Sequence, residues 1–157
     1  MECFKPLLLL AICGLAYSEV IKTQKCYIPG GQSPNCIVHE VKIDPCPEAA
    51  EDKPCKIKLG TNATLSFEYT PNWGTSKAGS QAFKVGTLVD IGFENMDTNG
   101  CKYTTCPIEE NKRQTYTFAL QVEKQFPVGT HPTKFKLWNE DDFHQQCCFK
   151  IPIKLVN

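Results

Sequence analysis

The sequence predicts an all-β fold, an antiparallel β-sandwich of about seven short strands braced by disulfides. Three observations lead to this prediction. Apolar and polar residues alternate along most of the chain, clusters of turn residues separate the alternating segments, and ten cysteines are present in 157 residues. A period of two places one face of each strand against a core and the other in solvent. Short strands divided by turns are typical of sandwiches.

Seven segments of the chain carry the strand pattern, and turn residues stand between them. Three are short: Ile37–Ile43, Ile57–Leu59 and Phe83–Ile91. The other four alternate clearly, with apolar residues at Leu65, Phe67 and Tyr69, at Tyr116, Phe118, Leu120 and Val122, at Phe135 and Leu137, and at Phe149, Ile151, Ile153 and Leu155. The separating turns are Pro29-Gly30-Gly31, Pro71-Asn72-Trp73-Gly74, Asn99-Gly100 and Pro127-Val128-Gly129.

The inward faces of these strands are unusually aromatic. Large rings can fill the interior of a sandwich at the high density of an ordinary core. They can also line a slot between two sheets that stand apart. Periodicity alone leaves both interpretations open. The rings concerned are Phe67, Tyr69, Tyr116, Phe118, Phe135 and Phe149.

Residues 1–18 are predicted to be a signal peptide. The apolar run Leu7–Leu15 is too short to span a bilayer, and small residues follow it at Ala16 and Ser18. The alternative is an uncleaved membrane anchor. Cleavage would leave residues 19–157, a length that suits a single domain. The predicted location is therefore extracellular fluid or, for a secretory protein retained inside the cell, the lysosomal lumen.

Eight cysteines follow the predicted leader, because Cys3 and Cys13 lie within it. An even number in a small exported chain indicates a disulfide framework. Two pairs are local and bounded by prolines, which predicts the bridges Cys46–Cys55 and Cys101–Cys106. A four-sulfur zinc site is the alternative for these two pairs, but the spacing of the first is too long for a zinc knuckle. No metal is expected.

The remaining cysteines are predicted to connect the start of the chain to its end. Cys147 and Cys148 are neighbours on a strand, so their side chains point to opposite faces and each needs a different partner. The pairing Cys26–Cys148 and Cys36–Cys147 is preferred, and the swapped pairing stays open.

Charge and catalytic motifs exclude several classes of function. Seventeen basic residues balance seventeen acidic ones, and no basic run suggests a nucleic-acid partner. The acidic segment 140–144 has no nucleophile motif or metal pair beside it, and His39 and His131 are isolated. We therefore expect neither an enzyme nor a cofactor. Asn62 begins the sequon Asn62-Ala63-Thr64, which predicts glycosylation in a secreted chain.

Several short motifs, most of them around cysteines and prolines, are distinctive. They are Lys42-Ile43-Asp44-Pro45-Cys46-Pro47, Pro54-Cys55-Lys56, Gly60-Thr61-Asn62-Ala63-Thr64, Gly100-Cys101-Lys102, Cys106-Pro107-Ile108, Thr115-Tyr116-Thr117-Phe118 and Cys148-Phe149-Lys150-Ile151-Pro152-Ile153. These motifs resemble the Niemann–Pick type C2-like branch of the ML (lipid-recognition) domain family. The similarity runs from about Cys26 to Val156, and the extra cysteines Cys36 and Cys147 suggest an arthropod-like branch.

This resemblance implies an immunoglobulin-like sandwich with an apolar cavity between its sheets. The residues it places at the cavity mouth are Phe93, Val122, Phe126 and Pro127. Further candidate wall residues are Phe67, Tyr116, Phe118, Phe149 and Ile151.

The function implied is that of a monomeric secreted carrier of a sterol, fatty acid or similar lipid. Such a carrier would contact a membrane or an acceptor protein transiently, since water does not accept an apolar cargo. Two alternatives remain: innate-immune recognition of microbial lipid, and extracellular transport of hydrophobic chemical signals. Recognition of acidic lipid would need basic residues at the mouth, where Lys124 faces the opposing charges of Glu94 and Glu123.

Overall fold

A computed structural model describes residues 20–27 and 35–157 of the protein. The predicted signal peptide and the turn Pro29-Gly30-Gly31 lie outside these residues. Two β-sheets face each other, which confirms the predicted sandwich, although the described residues form nine strands rather than about seven. The strands are β1 (Gln24–Lys25), β2 (Cys36–Asp44), β3 (Cys55–Lys58), β4 (Asn62–Pro71), β5 (Ala78–Lys84), β6 (Ile91–Gly92), β7 (Gln114–Gln121), β8 (Gly129–Asn139) and β9 (Asp142–Val156).

The two sheets differ in size. The larger sheet has the order β1-β9-β8-β5-β6, and the smaller has the order β2-β4-β7. Strand β9 pairs with β8 along its length, and its other edge is shared by β1 beside Lys150 and by β3 beside Ile153–Val156. The β3–β9 pairing is parallel, whereas all other strand pairs named here are antiparallel. Strand β9 therefore organises the larger sheet.

One predicted strand, Phe83–Ile91, is wrong in its extent. The chain leaves the sheet after Lys84 and rejoins it only at Ile91. A turn occupies the interval, where the Gly86 amide donates to the Asp90 carboxylate at 3.4 Å. Turn-forming residues in this interval outweigh the β propensity of its valines.

Aromatic rings fill the middle of the sandwich. The Phe67 ring of the smaller sheet stacks on Tyr116 at 4.6 Å between centroids and meets the edge of Phe149, from the larger sheet, at 5.0 Å. Phe149 stacks in turn on Phe135 at 5.5 Å. Offset and edge contacts at these distances are the favourable arrangements of aromatic pairs. The centre is thus an ordinary packed core.

Two buried tyrosine hydroxyls in this core have hydrogen-bond partners. Tyr116 Oη lies 2.7 Å from Ser80 Oγ, and Tyr69 Oη lies 2.8 Å from Thr104 Oγ1. Burial raises the pKa of both phenols because it penalises the charged phenolate. Both side chains therefore stay neutral, and their hydroxyls form hydrogen bonds with the buried hydroxyls of Ser80 and Thr104.

Four disulfides brace the sandwich. The local bridges are Cys46–Cys55 and Cys101–Cys106, and the long-range bridges are Cys26–Cys148 and Cys36–Cys147. Because adjacent residues of β9 face opposite ways, Cys147 points inward and joins β2 of the other sheet. Cys148 points outward to the segment that carries β1. One long-range bridge therefore links the two sheets.

Gly79 lets the ring of Trp138 lie directly on the backbone of β5. A Cβ atom at position 79 would stand 2.3 Å from Trp138 Cε2. We expect Gly79→Ala to lower the free energy of unfolding by about 1–3 kcal/mol, because the body of a ring must shift. Chemical denaturation measures this. At Gly92 the added Cβ would meet only the flexible end of Gln81, so equal losses for Gly79→Ala and Gly92→Ala would contradict the explanation.

Candidate ligand-binding cavity

A cavity of about 750 Å³ opens at one end of the sandwich. It lies between the two sheets, near the end of β7 and the start of β8, beyond the aromatic core. Most of the side chains that line it are apolar, and its exposed lining residues are mostly polar, such as Glu94, Asn95 and Gln125. The apolar lining residues are Ile91, Phe93, Met96, Phe118, Ala119, Leu120, Val122, Phe126, Pro127, Ile153 and Leu155.

The cavity brings together five of the predicted site residues. Phe118 is an inward residue of β7, and Val122 follows that strand. The Val122 amide donates to Thr61 O at 3.0 Å and its carbonyl accepts from Gly60 at 2.7 Å, so the loop that begins here is anchored to the start of β4. Phe93, Phe126 and Pro127 lie nearer to solvent. The first of these is held by its amide, which donates to Ala82 O at 3.0 Å.

Four other predicted wall residues do not line the cavity, which corrects the sequence-based expectation. Phe67, Tyr116 and Phe149 pack against one another in the aromatic core, and Ile151 is buried beside them on β9. Their side chains do point between the sheets. However, the three rings lie where aromatic side chains from both sheets meet, and Ile151 lies two residues beyond Phe149 along β9.

Two loops meet across the mouth of the cavity. The rings of Phe93 and Phe126 face each other with centroids 6.0 Å apart. Above them, the Asn95 side-chain amide donates a hydrogen bond to the carboxylate of Glu123, and Gln125 donates to the same carboxylate. The segment 91–96 is therefore joined to the loop 122–127 by an apolar contact inside and a polar contact outside.

Sequence reasoning missed several lining residues. Ile153 and Leu155 follow Ile151 at intervals of two residues and share its inward face of β9, so the strand period could have identified them. Met96 lies in an irregular segment and carries no periodic signal. Its sulfur accepts a hydrogen bond from the Ala82 amide at 3.2 Å. The polar residues Lys84, His131 and Thr133 also line the cavity, with His131 Nε2 positioned 2.8 Å from Pro127 O.

The remaining candidate features lie apart from the cavity lining. The acidic turn between β8 and β9 is at the opposite end of β8 from His131. Within residues 20–27 and 35–157, no three His, Cys, Asp or Glu side chains cluster as metal ligands. The same residues include no helix long and apolar enough to cross a bilayer. Asn62 is exposed at the start of β4, opposite Gln121 of β7.

Comparison with known proteins assigns this architecture to a family. A family model described as ML domain matches residues 20–155. The chain belongs to the ML domain family. This finding confirms the resemblance drawn from the cysteine and proline motifs, and it relates the cavity to a family of lipid-binding proteins.

Curated ML relatives match most of the chain. An MD-2-related lipid-recognition protein from Manduca sexta is 40% identical over 124 residues, 76% of each chain. The NPC intracellular cholesterol transporter 2 of Sus scrofa is 29% identical over 153 residues, 94% of this chain and 93% of that protein. A crystal structure of a Niemann–Pick type C2 protein from Japanese carpenter ant shares the fold, with a TM-score of 0.68, 20% identity and coverage of 89% and 99%.

Proposed function

We propose that this ML protein carries a single hydrophobic lipid, a sterol or a fatty-acid-like molecule, in the cavity at the end of the sandwich. The observation that carries the proposal is a space of about 750 Å³ with mostly apolar walls. Pockets for small ligands typically enclose about 300–1,000 Å³ and are mainly apolar with a few polar groups. Membership of the ML family supports the same ligand class.

Apolar contact alone supplies enough free energy for such binding. Each buried methylene contributes about 0.8 kcal/mol, so a sixteen-carbon chain gains on the order of 12 kcal/mol before losses. Immobilisation of the ligand offsets several kcal/mol of that gain. The walls contributed by Phe118, Val122 and Ile153 are almost fully buried. They need no charged group to hold the chain.

The setting proposed for this carrier is a secretory one. Removal of residues 1–18 would release a monomer into extracellular fluid or the lysosomal lumen, with a glycan at Asn62. Asn62 is exposed and points to the outer face of the smaller sheet. Cargo would pass between this protein and a membrane or an acceptor protein during transient contact. Carriage of hydrophobic chemical signals would use the same cavity.

A second candidate function is recognition of microbial lipid. The 40% identity to the MD-2-related lipid-recognition protein favours it. Acidic lipid head groups would need cations around the mouth, and Lys84 is a lining residue there. Glu94 and Glu123 line the same rim and oppose it. The rim therefore favours a cargo without several acidic groups.

Native mass spectrometry of the purified protein tests the proposal directly. We expect one lipid to remain bound to each chain, and its mass to identify its class. A fluorescent sterol and a fluorescent fatty acid, titrated side by side, should then show which probe the cavity accepts and be displaced by the unlabelled lipid. Binding of bacterial envelope lipid in preference to both probes would favour the second candidate. Failure to bind any of these lipids would contradict both functions.

A further inference from the structure

The outer face of the larger sheet carries a strip of lysines, although the net charge of the chain is zero. On three neighbouring strands, lysines alternate with buried residues and therefore share the outward face. Lys56 and Lys58 flank Ile57 on β3, while the lysines of β8 and β9 alternate with residues of the core. The members of the lysine strip are Lys56, Lys58, Lys134, Lys136, Lys150 and Lys154.

Strand register arranges these side chains in a narrow diagonal line. Lys136 of β8 lies opposite Cys148, and Lys134 lies opposite Lys150. Farther along β9, Lys154 is the partner of Lys56, and Lys58 is level with Val156. The strip therefore spans nine residues of β9, from Cys148 to Val156, about 26 Å at the usual rise of a strand, with at most two lysines at each level.

Few carboxylates neutralise this strip. Lys134 pairs with Asp90, and Lys56 lies 3.8 Å from Glu48. Among the residues that the structure describes, the other four lysines have no carboxylate within ion-pair distance. Burial lowers the pKa of Lys136, and repulsion from Lys134 lowers it further. Lys134 and Lys136 therefore stand close enough to repel each other, and Asp90 offsets only part of that repulsion.

The shape of the strip distinguishes between anionic partners. A bilayer offers head groups over an area and favours cations that are mixed with apolar side chains. The lysine strip is at most two lysines wide at each level, so its charges follow a line rather than cover an area. Nucleic-acid sites commonly add arginine and free aromatic rings. The strip contains no arginine, and the Lys136 ammonium lies over the neighbouring Phe83 ring at 5.7 Å. A flexible linear polyanion matches these features best.

We propose that the lysine strip is a docking site for a linear sulfated polysaccharide. This site is separate from the cavity, which opens between the sheets, whereas the strip covers the outer face of one of them. Binding would be electrostatic and would weaken as salt concentration rises, because charged contacts release condensed counterions. Docking on such a polymer would retain the protein at a surface or matrix while the cavity remains accessible.

Heparin, a sulfated polysaccharide, serves as the probe for a test on the full mature protein. The double variant Lys150→Gln/Lys154→Gln removes one charge from each half of the strip. Its control, Lys77→Gln/Lys112→Gln, removes two charges from loops outside the strip. We expect the strip variant to bind a heparin oligosaccharide about tenfold more weakly at low salt and to elute earlier from a heparin column. The control should elute with the unchanged protein.

Two results would overturn the proposal. One is equal elution of both variants, which would show that only net charge matters. The other is failure of heparin to bind while phosphatidylserine vesicles or duplex DNA bind in a manner that depends on the strip. Unchanged thermal unfolding and lipid-probe binding would show that both variants are folded.

Discussion

Removing both long-range disulfides is expected to lower the free energy of unfolding by about 8 kcal/mol, a large fraction of the total stability of a typical domain. The variant replaces the bridges Cys26–Cys148 and Cys36–Cys147, with sequence separations of 122 and 111 residues, by alanine pairs. A loop of about 100 residues stabilises a protein by about 4.7 kcal/mol in the chain-entropy model, so the first closure accounts for most of this loss. Urea denaturation of oxidised protein measures it.

Removing either long-range bridge alone should lower the free energy of unfolding by much less than removing both. While one bridge remains, the other closes only a small ring formed by the chain from Cys26 to Cys36 together with Cys147 and Cys148. A ring of about a dozen residues contributes about 3 kcal/mol in the same model. The two single losses should therefore sum to less than the loss in the double removal. The two bridges are coupled in this way because Cys147 and Cys148 are adjacent on β9.

The local bridge Cys46–Cys55 provides the control for this prediction. Its separation is only 9 residues, and it shortens the two long loops that contain it by only a small fraction. Its removal should therefore add independently to that of either long-range bridge. If the two single losses at the long-range bridges instead equalled or exceeded the double loss, chain closure would not explain how these bridges stabilise the fold.

Val122→Trp is expected to abolish most lipid binding while the fold persists. Val122 is 2% exposed and lines the cavity. An indole ring there would occupy space that would otherwise hold several methylenes. Losing contact with three or four methylenes costs about 3 kcal/mol, or about a hundredfold in affinity. Stability should change little, because the cavity has room for the larger side chain. Displacement of the fluorescent sterol and fatty-acid probes measures the effect.

Val128→Trp is the matched control, since it makes the same substitution in the same loop. Val128 is 54% exposed and is not a lining residue. We expect it to bind both probes as the unchanged protein does. Should Val122→Trp retain full affinity for the probes and for the co-purified lipid, the ligand would have to occupy another place. The proposed carrier function would then lose its site.

Part of the cavity lining was predictable from sequence, because it followed from the resemblance to the ML domain family. The resemblance placed Phe93, Val122, Phe126 and Pro127 at the mouth, and the structure gathers these residues in two facing loops. Their convergence depends on contacts between loops that are far apart in the chain, such as the one between Asn95 and Glu123. Local pattern reveals no such contact. Met96 was missed for the same reason.

The amino-acid pattern by itself determined the sandwich, because alternation with a period of two settles which face of a strand is buried. It also predicted the two local bridges, because cysteines beside prolines close short loops, whereas the choice between the two long-range pairings came from the structure. Only the tertiary structure decided that Phe67, Tyr116 and Phe149 fill the core whereas Phe118 and Val122 line a cavity. The same is true of the lysines, which form one strip on a chain of zero net charge. The period of two shows which side of a sheet a side chain faces, whereas strand register and the distance between the sheets decide which side chains become neighbours.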